Sequence, residues 1–444
     1  MKFGGASLES AQNMQCIIGH IRRELPRRPV LVFSAIGKTT RALLDAARFS
    51  AAGESSRMKT LWETIAGQHR SLWSAMHLSQ DRENIRTKLE QTLSLALEAL
   101  LSLQQNGKLD PQEQDHILAH GELLGTRLMT AVLQDAGIQA QWLDARRLIV
   151  TTADFTCARP LPEETVNRIQ SRIGHCIDSG KVPVLQGFIG ATPEGKTTTL
   201  GFEGSDYTAA LVGAALEASE IQIYKTVAGI MTADPGAVQG AKTIKRISFQ
   251  EAAELSYFGA KVLHPATIEP AHQKSIPIGV YDVREACVKG TVIGPEEEDG
   301  KRIKSVTGRR PLTKIVLNFA ESRVIHEDLP RVYDWFDSRG LIPLVLSMEK
   351  RCMIAVFPDD AVDHRLIESL QSLGSVEVCD DKASITVVGA IGMDKGVLTA
   401  ELEASLEDIG IETVSDIMSP TAMTILVDGK DAGEALNRIH RKFF

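Results

Sequence analysis

Short apolar runs rich in β-branched residues alternate with longer amphipathic stretches, and this alternation limits the possible folds more than any other feature. The runs that predict strands are 30–34 (VLVFS), 182–186 (VPVLQ), 221–224 (IQIY) and 276–280 (IPIGV). Uninterrupted apolar runs of this length are typical of strands that are buried on both faces of a parallel sheet. The pattern therefore predicts an α/β fold with a mainly parallel central sheet.

The region between the first two runs has the spacing of helices. An apolar stripe recurs at three- and four-residue steps, at Ile85, Leu89, Leu93, Leu97 and Leu100. Further along, Asp110, Pro111 and Glu113 are the residue types favoured at the N-cap, first and third positions of a helix. Gly137 is expected to end that second helical stretch.

Length and charge exclude several classes of protein. A chain of 444 residues is expected to form two or three domains. A net charge of −8 argues against a nucleic-acid partner, which favours clustered Lys and Arg. No apolar run approaches the length of a membrane span or of a signal peptide, so we expect a cytoplasmic protein without membrane contact. The six scattered cysteines lack metal-ligand spacing, which predicts reduced thiols and no metal held by cysteine.

The pattern of residue types along the sequence changes near residue 300. The charged segment 295–302 (PEEEDGKR) is the best linker candidate. Beyond it, strand, helix and strand patterns recur at 313–318, 329–339 and 342–347, and again at 384–388, 396–409 and 423–427. Two copies of one small α+β module are therefore predicted, with an exchange of strands between them as a possibility. The predicted domains are 1–300, 301–380 and 381–444.

The most specific segment is GFIGATPEGKTTTLGFEGSDYTAALVGAAL, residues 187–216. It predicts a strand, a polar hairpin at 193–196, and a glycine-flanked loop leading into a helix that begins near Tyr207. Ser205 and Asp206 stand where a helix N-cap requires an oxygen, and the helix N-terminus favours an anion. A plain strand-to-helix turn is the alternative interpretation of the glycine spacing taken alone.

Two further polar loops follow predicted strands. KFGGAS (2–7) begins with a lysine beside two glycines, and FSAIGKTT (33–40) follows the strand at 30–34. The carboxyl ends of parallel strands meet at one edge of a sheet, so three such loops predict one ligand crevice. The spacing of a Walker-type phosphate loop is absent.

Six segments follow one another along the chain: KFGGAS, FSAIGKTT, HGELLGTRL, TTTLGFEGSDYTAAL, VAGIMTADP and ELSYFGAKVLHPATIEPA. In these segments and in their order, the chain resembles the aspartate kinase family of the amino-acid kinase superfamily. The resemblance is to the monofunctional form and covers essentially the whole chain. It implies a three-layer amino-acid kinase domain followed by two ferredoxin-like ACT domains. The implied activity is ATP- and Mg²⁺-dependent phosphorylation of L-aspartate to 4-phospho-L-aspartate, which opens lysine, threonine and methionine synthesis, in a homodimer paired through the ACT domains.

The resemblance also implies roles for individual residues. The catalytic pair would be Lys2, which neutralises charge on the phosphoryl group, and Asp206, which orients the site. Substrate contacts would come from Thr40, Glu122 and Ser205, with Glu122 facing the substrate's amino group. Nucleotide contacts would come from Gly4, Gly5, Ser34, Lys225, Thr226 and Lys261.

The chain departs from the family pattern at the place of a substrate-binding arginine, which here holds Phe202. Phenylalanine offers no donor for a carboxylate, whereas arginine binds one with two parallel hydrogen bonds. One hypothesis is that Arg41, in the substrate-facing loop, replaces the missing guanidinium. The alternatives are a kinase of the same fold that acts on a different amino acid, or a catalytically impaired regulatory protein that binds amino acids.

Other departures concern the nucleotide segment, the first ACT module and the chain start. Thr226, Met231 and Gly236 occupy positions at which the family commonly has Asp, Tyr and Arg, respectively. The segment 323–328 lacks the glycine-containing turn of lysine-sensitive members, so weak inhibition by lysine is predicted. Almost no strand precedes Lys2, which predicts either a mis-assigned start or a neighbouring segment that covers the gap.

Overall fold

The computed structural model describes residues 1–76, 82–201, 203–259, 263–285, 290–295, 302–390, 395–413 and 419–444. The chain forms two compact units, one of residues 1–230 with 263–295 and one of residues 231–262 with 296–444. Most of the predicted linker lies outside the described residues. The division into domains 1–300, 301–380 and 381–444 stays a prediction.

The strands, in chain order, are β1 Lys2–Phe3, β2 Leu31–Phe33, β3 Ala140–Leu143, β4 Val182–Gln186, β5 Ile189–Ala191, β6 Thr197–Thr199, β7 Ile221–Lys225, β8 Arg246–Ser248, β9 Ile278–Asp282, β10 Gly290–Gly294, β11 Ile303–Phe319, β12 Val345–Glu349, β13 Cys352–Pro358, β14 Gly374–Gly389, β15 Glu412–Thr413 and β16 Ala422–Asp428. The helices are α1 Ala11–Glu24, α2 Thr39–Ala51, α3 Ser55–Ala75, α4 Arg82–Asn106, α5 Pro111–Asp135, α6 Pro162–Asp178, α7 Gly204–Ala215, α8 Phe249–Tyr257, α9 Pro265–Gln273, α10 Ile325–Asp337, α11 His364–Gln371, α12 Lys395–Ser405 and α13 Ala432–Phe443.

The sheet of the first unit has the order β3-β4-β2-β1-β7-β9-β10. Neighbouring strands from β3 to β9 are parallel, and β10 is antiparallel to β9. The prediction of a mainly parallel sheet is confirmed. Although β1 has only two residues, it pairs with β2 on one side and with β7 on the other. Both of its residues are buried, so the beginning of the chain forms part of the core.

Helices cover the sheet and form a second apolar core among themselves. One core packs β1, β2 and β4 against α1 and the end of α5. The other joins α2, α3, α4 and α5, and it buries Leu89, Leu93 and Leu100 of the predicted stripe. The side chain of Ile85 lies outside the described residues. Asp110 caps α5 as predicted, because its carboxylate accepts the Glu113 N–H at 2.9 Å.

The second unit is built on one antiparallel sheet with the order β12-β13-β11-β14-β16-β15. The strands β11 and β14 are 17 and 16 residues long, and each contributes to two separate cores. Ile315 and Leu317 pack with α10, α11 and β13, whereas Ile303 and Val306 pack with α12, α13 and β16. Two α+β modules therefore share their long strands, and the exchange of strands between ACT units stays a prediction. Sequence patterns missed β13, α11 and α13.

The segment that follows β7 is anchored in this second unit. The Thr232 hydroxyl lies 2.9 Å from His440 Nε2 of α13, and the ring of His440 stacks on Phe444. Ala233 and Val238 enter the same core as α13. Residues 231–242 therefore pack with the last helix of the chain, although they directly follow the strand that carries Lys225.

Candidate active site

Two lysines converge on one buried aspartate at the carboxyl ends of the central strands. Lys2 Nζ, on β1, lies 2.5 Å from Asp206 Oδ1, and Lys225 Nζ, on β7, lies 3.1 Å from Asp206 Oδ2. Only 2% of the Asp206 side chain is exposed. Because β1 and β7 are parallel neighbours, their ends bring the two ammonium groups to opposite oxygens of the same carboxylate.

The charge on Asp206 is stable in this environment. Burial alone would raise the pKa of its carboxyl, but the charges of Lys2 and Lys225 outweigh burial and leave the pKa below its ordinary value. Asp206 therefore stays ionised and fully engaged by cations. Such a carboxylate is suited to holding two ammonium groups in place, and it is poorly suited to accepting a proton.

The helix that carries Asp206 begins earlier than the sequence suggests. α7 starts at Gly204, and the N-cap residue is Glu203, with φ +54° and no capping bond from its side chain. The prediction that Ser205 and Asp206 cap a helix beginning near Tyr207 was wrong, because both lie in the first helical turn. Ser205 packs so closely on the β4–β5 turn that a Cβ at Gly187 would lie 2.5 Å from the Ser205 Cβ.

A second buried carboxylate, Glu122 of α5, lies in the same unit. Its Oε1 accepts the Ala35 N–H at 3.4 Å and the Thr40 hydroxyl at 3.2 Å. Its Oε2 is buried and has no hydrogen-bond partner among the described residues. Burial raises the pKa of Glu122 to about 8. The predicted substrate residues Thr40 and Glu122 are thus in direct contact, and the pair presents an oxygen that lacks a donor.

Glycines allow the loops and helices around these groups to approach closely. A Cβ at Gly5 would lie 2.8 Å from the Ala35 carbonyl oxygen, and a Cβ at Gly125 would lie 2.8 Å from the Ser34 carbonyl oxygen. A Cβ at Gly121 would meet the Ala35 side chain at 3.1 Å. The segments KFGGAS, FSAIGKTT and HGELLG therefore pack against each other, and side chains at these glycines would force them apart.

The remaining predicted residues have different surroundings. Gly4 N–H donates to the Tyr224 carbonyl at 3.2 Å and Ser34 N–H to the Phe3 carbonyl at 3.2 Å, so both lie beside β1. The Thr226 carbonyl accepts from Arg284 at 2.8 Å. Lys261 and Phe202 lie outside the described residues. Arg41 is 69% exposed and pairs with Asp45 at 3.3 Å.

Sequence reasoning missed a third buried carboxylate, Asp115. It accepts the Thr199 N–H at 2.9 Å, the Thr199 hydroxyl at 2.6 Å and the Thr156 N–H at 2.8 Å. Asp115 thereby fixes the end of β6, just before the loop that leads to Glu203. Its position seven residues before Glu122 places both carboxylates on one face of α5, a signal that the sequence did contain.

The described residues contain no group of three or more His, Cys, Asp and Glu side chains that could hold a metal ion. None of the described helices is both long and apolar enough to cross a membrane. The described part of the site thus has two lysines around Asp206, with Glu203 lying 3.8 Å from Lys225, and a second carboxylate at Glu122.

An α/β fold that gathers lysines and glycine loops at the carboxyl ends of parallel strands defines a class of proteins that bind and transfer anionic groups. Residues 1–282 match the model of the amino acid kinase family. The chain is 30% identical over 456 residues to lysine-sensitive aspartokinase 3 of Escherichia coli, covering 100% of this chain and 98% of that protein. It is 29% identical over 461 residues to the chloroplastic aspartokinase 2 of Arabidopsis thaliana, covering 100% of this chain and 84% of that protein.

Comparison with a solved structure points to the same family. The crystal structure of E. coli aspartokinase III in complex with aspartate and ADP superposes with a TM-score of 0.87 at 28% identity, covering 100% of this chain and 99% of that one. The chain therefore belongs to the amino acid kinase family and, within it, to the aspartokinases.

Proposed function

We propose that this chain transfers the γ-phosphoryl group of ATP to the side-chain carboxylate of L-aspartate and forms 4-phospho-L-aspartate, the first step of lysine, threonine and methionine synthesis. The observation that carries the proposal is the pair of ammonium groups held by Asp206, with Lys2 at 2.5 Å and Lys225 at 3.1 Å. Phosphoryl transfer depends mainly on positioning and on stabilising negative charge, which is what this arrangement supplies. The related E. coli enzyme, crystallised with aspartate and ADP, supports the choice of substrates.

The reaction needs no general base in the protein. The bond between the γ-phosphorus and the β–γ bridging oxygen breaks, and a bond forms between that phosphorus and a carboxylate oxygen of aspartate that already lacks its proton. Lys2 and Lys225 neutralise charge on the transferring group and on the leaving oxygen. Asp206 positions both ammonium groups, and its low pKa keeps it from taking a proton.

Glu122 is suited to binding a cation, and we infer that it lies where the amino acid that accepts the phosphoryl group binds. Its unpartnered Oε2 is suited to the α-ammonium group of an amino acid, since an added cation would both satisfy that oxygen and lower the raised pKa. The Thr40 hydroxyl fixes the orientation of the carboxylate through Oε1. We infer that these two residues select an amino-acid substrate.

We also infer that Mg²⁺ accompanies ATP. Mg²⁺ in kinases is commonly held by substrate phosphates with one or two carboxylates and several waters, which fits a site whose buried Asp206 is already neutralised by lysines. Bound there, it would neutralise phosphate charge beside Lys2 and Lys225. The phosphates, rather than a protein cage, would hold most of its coordination sphere.

The second unit is proposed to be the regulatory part. Its two modules with shared strands are suited to pair between copies of the chain and to bind an amino acid at their interface. A homodimer in the cytoplasm is the simplest assembly consistent with this proposal. Lysine is expected to inhibit weakly, because 323–328 lacks the glycine-containing turn.

The test is a coupled assay of ADP release over a panel of amino acids with Mg²⁺. L-aspartate should be turned over, and Lys2→Ala or Asp206→Ala should lower turnover at least about a hundredfold. Good turnover of another amino acid but not of aspartate would show that the other amino acid is the substrate. No turnover with any amino acid would favour a regulatory protein.

The same assay tests Phe202. If aspartate is the natural substrate, Phe202→Arg should not create the activity. A large gain of aspartate turnover in Phe202→Arg would indicate that the natural substrate carries an apolar group where aspartate carries its α-carboxylate.

A further inference from the structure

A cavity of about 410 Å³ lies in the first unit, between α4, α5 and the edge strand β3. Its volume falls in the range of about 300–1,000 Å³ that ligand pockets commonly occupy. None of the groups assigned to phosphoryl transfer or substrate binding lines it. The cavity is therefore a feature that the proposed kinase reaction does not use.

Three cationic side chains line the cavity, and no acidic side chain is among the described residues around it. Lys88, Arg127 and Lys181 form no ion pair within the described part of the chain. The neighbouring Asp144 is occupied by Arg146 at 2.7 Å. Asp144 attracts Arg127 from beside the cavity, but no described acidic side chain lines the concave surface itself, so an anion placed among the three cations is stabilised.

Arg127 is the most constrained of the three. Its guanidinium lies over the Trp142 ring, 4.3 Å from the centroid, and its Nε is buried without a hydrogen-bond partner. Burial lowers the pKa of Arg127. Buried donors normally have partners, so a group with free acceptor oxygens would fill a need that the described residues leave unmet.

Aromatic and aliphatic side chains also line the cavity next to these charges. Trp73, Trp142 and Leu128 are among them, and Gln139 and Gln141 add carboxamide groups along the sheet edge. The Trp142 ring is held in place because its N–H donates to the Thr126 hydroxyl at 3.1 Å. Fixed aromatic surfaces favour planar rings, which stack on them at little cost in conformational freedom.

We propose that this cavity, defined by Arg127, Lys88, Lys181, Trp73 and Trp142, is a binding site for a planar aromatic or heteroaromatic small molecule that carries a carboxylate, sulfonate or phosphate. The ring lies among the tryptophans, and the anion meets the three cations. The site is separate from the one that carries Lys2, Asp206 and Glu122, and the proposal stands whether or not aspartate is the kinase substrate.

The experiment uses naphthalene-2-sulfonate as the probe, titrated into the full-length protein by calorimetry in the presence of saturating ADP and aspartate. Saturable one-to-one binding is expected. Indole, which has a ring without charge, and inorganic sulfate, which has charge without a ring, should each bind at least about tenfold more weakly. Binding that is abolished by ADP would assign the probe to the nucleotide site and overturn the proposal.

Variants locate the site. Arg127→Met should weaken probe binding at least about tenfold, and Lys181→Met and Lys88→Met about two- to fivefold each. Lys59→Met, an exposed lysine of α3 away from the cavity, is the matched control and should have no effect. Kinase activity serves as the check of folding, and the two exposed lysine variants decide the question if Arg127→Met fails to fold. Equal affinity in Lys59→Met, Lys88→Met and Lys181→Met, or no saturable binding to the wild type, would overturn the proposal.

Discussion

The surroundings of Asp206 and of Glu122 differ in one respect that separates their chemistry. The two side chains are almost equally buried, at 2% and 3% exposed. Asp206 has two lysine partners and a pKa below its ordinary value, whereas Glu122 accepts only from neutral donors among the described residues and has a pKa raised to about 8. Burial penalises both carboxylates, so the neighbouring cations decide which one is ionised without a ligand.

The largest effect is expected from Asp206→Asn, which removes the anion, leaves the buried Lys2 ammonium without its ion-pair partner and leaves Lys225 with the more distant carboxylate of Glu203, at 3.8 Å. Breaking a buried ion pair on one side costs about 3–5 kcal/mol of unfolding free energy. Turnover should fall at least about a hundredfold because Lys2 and Lys225 lose their positions. Denaturant unfolding and the coupled assay measure both, and an Asn variant with near wild-type stability would show that the lysines find other partners.

Glu122→Gln should have the opposite effect on stability. It replaces a desolvated carboxylate by a neutral amide, so the unfolding free energy at pH 8 or above should stay the same or rise. The Michaelis constant for aspartate should rise at least about tenfold, because the ammonium group loses its counter-charge. A destabilised Gln variant with an unchanged Michaelis constant would contradict the assigned role.

The pH dependence follows from the signs of the two shifts. The pKa of Glu122 is raised from 4.5 to about 8 in the folded state. Burial of Glu122 therefore lowers the free energy of unfolding progressively as the pH rises from 4.5 to about 8, and it has no such effect below pH 4.5. Asp206, with a lowered pKa, loses its stabilising contribution only as the pH falls below its ordinary value of 3.8.

The raised pKa of Glu122 can be tested through ligand binding. Aspartate binding below pH 8 should release a proton from Glu122, and its Michaelis constant should fall as the pH rises towards 8. Calorimetry in two buffers of different ionisation enthalpy counts the proton. Glu122→Gln is the control, and equal proton release in that variant would assign the proton to another group.

A smaller effect is expected for Asp115, which positions the loop before Asp206. Asp115→Ala leaves two buried donors of Thr199 and the partly buried Thr156 N–H unpaired, and should lower kcat/KM about tenfold, with a loss of about 2–4 kcal/mol of unfolding free energy. Asp115→Asn is the matched variant, since its oxygen can accept both N–H groups and its amide can donate to Thr199. Equal kinetics in the two variants would argue against a positioning role.

The smallest effect is expected for Arg41. Its exposed position and its pair with Asp45 predict that Arg41→Asn changes the Michaelis constant for aspartate less than about twofold. A marked rise, recovered by Phe202→Arg in the same chain, would restore the hypothesis that Arg41 replaces the missing guanidinium. Steady-state kinetics of the two variants and their combination give the answer.

Much of the fold could be predicted because it rests on local patterns. The predicted strands at 182–186 and 221–224 became β4 and β7, since valines or isoleucines at every second position suit a buried strand. The capped start of α5 at Asp110 depends on neighbouring residues alone. The α13 helix was missed although its buried residues Ala435, Leu436 and Ile439 recur at helical spacing.

The sequence by itself determined the fold class and the family motifs, because residue type and order carry that information, and it predicted Lys2, Asp206, Thr40 and Glu122 as site residues. Only the tertiary structure decided that Lys225 shares Asp206 with Lys2, that Asp115 fixes Thr199, and that Arg127 Nε has no hydrogen-bond partner among the described residues. These facts join residues far apart in the chain, such as Lys2 and Asp206. A pKa or an unpaired charge depends on which groups the fold brings within a few ångströms, and the order of residues along the chain does not state those distances.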